Sequence, residues 1–121
     1  MSTRAVVRFF RTDQETIDAA IYHHSDGYPS HMEDELERFL EWNKREFPGN
    51  EREDHASYLA FRYCVFLAKG LAYSRSGYDY DGYSFGIVKP DYSDFAYRYD
   101  VYTFNDKDEH PMIVRSDGRE E

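Results

Sequence analysis

The chain has 121 residues, with 24 acidic against 15 basic side chains for a net charge of −9, and its 40% hydrophobic content includes twelve Tyr, nine Phe and one Trp. That length suits one domain over 1–121, the aromatic load argues against intrinsic disorder, and the charge excludes a chain built to hold nucleic acid or an anionic membrane, which needs basic residues to displace counterions. No apolar run approaches the ~18–20 residues of a membrane span, and MSTRAVVRFFRT has Arg8 inside its apolar patch and no cleavage pattern, so a soluble, cytoplasmic protein is expected.

Residues 3–10, TRAVVRFF, place Val7 and Phe9 on one side and Val6 and Phe10 on the other, which predicts a strand buried on much of both faces. After the turn chemistry of RTDQET, Ile17, Ala19 and Ile21 alternate with Asp18, Ala20 and Tyr22 in a second strand, giving an antiparallel hairpin. The DGYP turn leads to Ser30-x-x-Glu33, a capping box that sets the helix start just after Ser30. Met32, Leu36, Phe39, Leu40 and Phe47 then fall in one stripe facing a core, with the carboxylates facing water.

Pro48-Gly49 ends this helix, and Asn50 with Glu53 or Asp54 can cap a second one. HASYLAFRYCVFLAKGLAYS is apolar nearly all round, which predicts a central helix covered on several sides, with Gly70 near its end. Its Cys64 is the single cysteine, so no internal disulfide exists, and Tyr63 and Val65 beside it point to a buried structural thiol. RSGYDYDGY is a connector, and YSFGIV a third strand stopped by Lys89-Pro90. SDFAYRYDVYTF alternates Phe95, Tyr97, Tyr99 and Val101 with Ala96, Arg98, Asp100 and Tyr102 as a fourth strand, and after the turn NDKDEH comes PMIVRS as the fifth. The order ββααβββ predicts an α+β fold: a mostly antiparallel five-stranded sheet with two helices packed on one face.

His23, His24, Asp26 and His31 are the densest cluster of chemically useful groups, but adjacent strand residues point to opposite faces, so His23 and His24 do not form a joint chelate. Their spacing matches no strong zinc pattern, and DYDGYSFG lacks the later ligands of a calcium loop, so no metal or other cofactor is expected. A small enzyme or binding pocket near His24, Asp26 and Tyr28 is one alternative, although no nucleophile elbow or glycine-rich phosphate turn accompanies it. The tyrosines could stack bases, but they lie among aspartates without a basic groove, so direct nucleic-acid binding is disfavoured and a protein interface fits better.

Glu33, Glu37 and Glu41 recur every four residues beside Asp34, a row with ~6 Å spacing, comparable to that between phosphates. Asp34–Arg38 and Glu41–Arg45 offer some internal neutralisation. Residues 31–55 hold nine acids and four bases, and residues 79–121 eleven acids and five bases, so Asp79, Asp81, Asp91 and Asp94 form a candidate second patch. Two readings stand: a solvated outer face, or a surface that mimics nucleic acid.

Thr3-Arg4-x-x-Val7-x-Phe9, followed by Ile21-Tyr22-x-His24-x-Asp26-Gly27-Tyr28-Pro29, resembles a group of short phage and prophage proteins, and Gly86-Ile87-Val88 and Tyr97-Arg98-Tyr99 extend the likeness over most of the chain. The resemblance implies no known reaction, and no catalytic residue is assigned. It implies a phage inhibitor of a host defence complex, of the anti-CRISPR type, that meets the basic surface of a host nucleic-acid-binding complex through Glu33, Asp34, Glu37, Glu41 and the second patch. The rival expectation is a phage regulatory protein acting through self-association, and either protein could be a monomer or a homodimer.

Overall fold

The structure is a computed structural model that describes residues 3–24, 26–47, 55–69, 85–104 and 111–117, the side chains of 116 and 117 excepted. The chain is α+β: strands β1 (Ala5–Phe10) and β2 (Ile17–His23), helices α1 (Pro29–Glu46) and α2 (Ala56–Ala68), then strands β3 (Phe85–Val88), β4 (Tyr97–Tyr102) and β5 (Met112–Asp117). The five strands form one sheet in the order β3-β2-β1-β4-β5. Three of the pairings are antiparallel, but β4 lies parallel to β1, so the sheet is mixed. The parallel pair arises because β4 joins the far side of β1 instead of continuing from β3 as a hairpin.

β1 is central, and its two faces are both largely buried as its sequence demands. Toward the helices point Ala5, Val7 and Phe9, joined by Ile21, Tyr99, Val101 and, from α1 and α2, by Met32, Leu36, Phe39, Leu59, Tyr63 and Phe66. Burying each large apolar side chain contributes roughly 1.5–3 kcal/mol, so this layer carries most of the stabilising free energy. On the opposite face Arg8 donates to both oxygens of Asp100, at 2.8 and 3.1 Å, and Phe10 stacks on Tyr102 at 4.6 Å. Asp100 is only 2% exposed, so the aspartate in the best alternating stretch is an internal partner and not part of an acidic surface.

The β1–β2 turn is organised by Asp13, whose carboxylate accepts from the amides of Glu15 and Thr16 and from the Thr16 hydroxyl. Those bonds, the Thr16 hydroxyl foremost, hold its pKa at about 2 and leave Gln14 to take a φ of 62°. At the other end of the hairpin, Asp26 has a φ of 60° and Gly27 donates its amide to the Thr3 carbonyl at 2.8 Å. Tyr99 donates its hydroxyl to the Gly27 carbonyl, also at 2.8 Å, so the loop before α1 is fastened to both β1 and β4.

Helix α1 starts two residues earlier than the capping box predicts. Pro29 takes the first helical position, Tyr28 is the N-cap, and no side chain caps the turn. Proline brings a preset φ and has no amide to leave unpaired at the first helical position, so the helix begins there and Ser30 becomes an ordinary exposed first-turn residue. The stripe of Met32, Leu36 and Phe39 is buried as expected. In α2, N-capped by His55, Tyr58 and Phe61 stand on an open face, Phe61 at 70% exposure, so this helix is not covered on several sides among the described residues. The expected cap at Asn50 with Glu53 or Asp54, the glycine at 70, and the turn at 105–110 lie outside the described residues.

A Cβ on Gly27 would stand 2.7 Å from both the Ala5 Cβ and the Thr3 carbonyl oxygen, whereas one on Gly86 would meet nothing within 4 Å. Gly27→Ala should therefore cost roughly 1–3 kcal/mol in urea unfolding through overpacking against backbone. Gly86→Ala, by contrast, should stay within about 0.5 kcal/mol of the parent protein.

Candidate functional site

Helical spacing brings four polar side chains together beneath the first turns of α1. Glu35 lies three residues after Met32 and four before Phe39, which puts it on the buried stripe, fully inaccessible to solvent. His31, one turn earlier, reaches Glu35 Oε1 with its Nε2 at 3.1 Å. From α2, Tyr63 donates its hydroxyl to Glu35 Oε2, and from β2, His23 Nε2 lies 2.8 Å from the same phenol oxygen and 3.8 Å from Glu35 Oε2. The phenol has a single proton and gives it to Glu35, so its oxygen accepts from Nε2–H of a neutral His23.

The rings around this network close it off. Tyr63 sits among Phe9, Phe39 and Phe66, with centroids at 5.6, 5.0 and 6.4 Å, and Phe85 presents its edge to His23 at 4.8 Å. Burial pushes the His23 imidazole below its ordinary value of 6.5, overriding the nearby Glu35 charge, which favours protonation. His31 moves the other way, raised chiefly by its hydrogen bond to Glu35. His23, Glu35 and Tyr63 are each at most 1% exposed, so their hydrogen bonds are closed off from water. Among the described residues no group of three His, Cys, Asp or Glu is placed to hold a metal ion.

His23 and His24 do point to opposite faces. His24 is exposed and its Nδ1 pairs with the Tyr22 hydroxyl at 2.9 Å, on the side of the sheet away from the helices. Tyr28 instead lies against His31, on the helix side, with Asp26 in the turn between them. His24 and Tyr28 thus have different neighbours, Tyr22 for the first and His31 for the second. Cys64 is half-buried beside a groove of about 270 Å³ formed with Ile21, Leu67, Phe85 and Ile87, where burial raises its thiol pKa. A thiol held protonated is a poor nucleophile.

The acidic row is divided by the fold. Glu33, Asp34, Glu37 and Glu41 are all exposed, but Asp34 accepts from Arg38 at 2.9 Å and Glu33 stands 3.8 Å from Arg115 of β5. Glu33, Glu37, Ile113 and Arg115 line a cleft of about 150 Å³ between α1 and β5. Arg45 turns to Glu46, at 3.9 Å, and not to Glu41, which leaves Glu37 and Glu41 without an ion pair among the described residues. Of the second patch, Asp91 and Asp94 are exposed and Asp94 is paired with Arg4 at 2.7 Å, while Asp79 and Asp81 lie outside the described residues.

Sequence reasoning assigned all the α1 carboxylates to water and so missed Glu35 and its partner Tyr63. The signal was present in the spacing, since Glu35 shares the i, i+3, i+4, i+7 positions with Met32, Leu36 and Phe39.

The two shifted histidines predict a stability maximum. His23 is harder to protonate folded than unfolded, so its contribution is complete above 6.5 and falls as pH drops below that value. His31 is easier to protonate when folded, so its contribution is complete below 6.5 and is lost as pH rises through its folded value. Urea unfolding across roughly pH 5 to 8 should show His23→Gln flattening the acidic limb and His31→Gln the alkaline limb. Tyr63→Phe, which deprives Glu35 of a donor and His23 of an acceptor, should cost about 1–3 kcal/mol at neutral pH. In comparisons with protein-family models, curated proteins and solved structures, nothing matches this chain.

Proposed function

We propose that this chain is a non-enzymatic binding protein that docks the acidic outer face of α1 on the basic, nucleic-acid-handling surface of another protein and so blocks it. A phage-encoded inhibitor of a host defence complex, of the anti-CRISPR type, is the form of this activity that the resemblance of the TRAVVRF and IYHHSDGYP segments suggests. The observation that carries the reading is the pair Glu37 and Glu41, exposed and unmatched by any cation among the described residues. Surface carboxylates one turn apart repel each other slightly, so the row weakens the isolated helix and gains energy when a cation arrives.

Glu37 is the hinge of this surface. It also borders the cleft with Glu33, Ile113 and Arg115, where Arg115 already stands against Glu33, so Glu37 is the carboxylate there left for a partner's lysine or arginine. Asp34 contributes less, because Arg38 already neutralises it, and Asp94 is similarly matched by Arg4. Glu37 and Glu41 are therefore the leading contacts, with Glu33 and Asp34 behind them, and of the second patch Asp91 is unpaired among the described residues.

Contacts of this kind act over about a Debye length, ~8–10 Å at physiological salt, so the complex should form quickly and dissolve as salt rises. Capture from a bacterial lysate should recover nucleic-acid-binding proteins that elute with salt and are displaced by duplex DNA. The Glu37→Lys/Glu41→Lys double variant should lose capture by at least about tenfold while unfolding within about 0.5 kcal/mol of the parent protein, because both side chains are exposed. Retention of capture by the double variant, or capture indifferent to salt and DNA, rules this surface out.

A further inference from the structure

The polar network under α1 joins three elements, two of which, α1 and α2, also meet where Arg62 donates to the Asn43 side-chain oxygen at 3.4 Å. His31 and Glu35 belong to α1, His23 to β2 and Tyr63 to α2. Seen from His23, β3 offers only the edge of Phe85, and β1 only its cross-strand neighbour Ala5. The α2 contribution is the Tyr63 hydroxyl, and α1 brings Glu35 and His31. The loop before α1 adds Asp26, whose charge acts on both histidines, and Arg38 adds positive charge toward His31. Asp26 is partly exposed, so water screens it, whereas Glu35 is enclosed.

We propose that this network is an acid-operated latch, in which a proton taken up by His23 leaves two imidazolium rings facing the single Glu35 carboxylate, and α1 lifts away from β2 and α2 while the sheet stays paired. The order of events follows from position. His31 is on the solvent side of the cluster and gains its proton first, so Glu35 is already matched when His23 is protonated. The Nε2–H of His23 continues to meet Tyr63, but among the described residues the new charge has beside it only the Glu35 carboxylate, which His31 already engages.

Lifting α1 relieves this directly, since it carries away His31 and Glu35 and admits water to His23. Nothing comparable acts on the sheet. β1 is held on both sides by backbone hydrogen bonds to β2 and β4, and its one buried ion pair, Arg8–Asp100, is on the opposite face.

Amide hydrogen exchange of the intact protein, read by mass spectrometry and corrected for the intrinsic pH dependence of exchange, tests the latch. In the wild-type protein the amides of α1 should become exposed in preference to those of β1 and β4, with the opening equilibrium rising about tenfold for each unit of pH below the ordinary histidine value, until the folded value of His23 is passed. His23→Gln and His23→Phe remove the titrating group, the second keeping a ring against Phe85 and Tyr63, and either should abolish that pH dependence. His24→Gln, exposed on the other face, should behave as the wild-type protein. Simultaneous loss of protection in α1 and β1 of the wild-type chain would overturn the proposal, since that is ordinary acid unfolding. Acid-dependent opening that persists in the His23 variants, or that His24→Gln abolishes, would overturn it as well.

Discussion

The hydroxyl of Tyr63 stands between Glu35 and His23, and the helical layer depends on that placement. A carboxylate taken fully out of water is strongly destabilising unless donors replace its hydration. Here the donors come from two directions, Tyr63 from α2 and His31 from the helix that bears Glu35 itself. The same phenol gives His23 its acceptor, so β2, α1 and α2 are placed relative to one another by directed bonds as well as by packing. Phe9, Phe39 and Phe66 surround the ring and keep the bonds dry, which strengthens them and raises the penalty for losing any one.

Helix α1 therefore has two acidic faces with opposite roles. Glu35, inside, is committed to internal partners and unavailable to any ligand. Glu37 and Glu41, outside and a few residues later, face water without a cation among the described residues. The helix is able to present that outer row at a fixed angle because the inner cluster, together with Met32, Leu36 and Phe39, anchors it. Its start is fixed as well, by Gly27 pressed against Thr3 and by the Tyr99 hydroxyl on the Gly27 carbonyl. Electrostatic presentation at the surface and charge satisfaction in the core are thus two consequences of one helix register.

The opposite side of the sheet solves a similar problem differently. Asp100 is buried on β4, which lies between β1 and β5, and Arg8, directly across the parallel pairing with β1, answers it with two hydrogen bonds. Such a pair adds little to stability over a well-packed apolar alternative, but it penalises a register slip, which would part the buried Asp100 from Arg8 and leave it only Arg98 of its own strand, at 3.4 Å. Since β1 and β4 are far apart in sequence, this is a means of fixing the one parallel pairing in the sheet. No titratable histidine is part of the pair, which separates it from the acid-sensitive chemistry under α1.

Local pattern was enough for the element order. Alternation in Ala5–Phe10 and Tyr97–Tyr102, the Met32–Leu36–Phe39 stripe and the DGYP break each report on residues a few positions apart, and the sequence determined five strands, two helices and an α+β fold from them. The exposed state of Glu33, Asp34, Glu37 and Glu41, and the opposite facing of His23 and His24, were legible for the same reason, since helix and strand periods fix relative direction. Helix capping was misread because Pro29 competed with Ser30 for the start, and local rules rank those two signals only loosely. Only the tertiary structure decided that β4 runs parallel to β1, that Asp100 meets Arg8, and that Glu35, Tyr63 and His23 converge. Each of these joins residues separated by 28 to 92 positions, and whether a buried carboxylate is tolerated depends on donors delivered from elements that no local window contains.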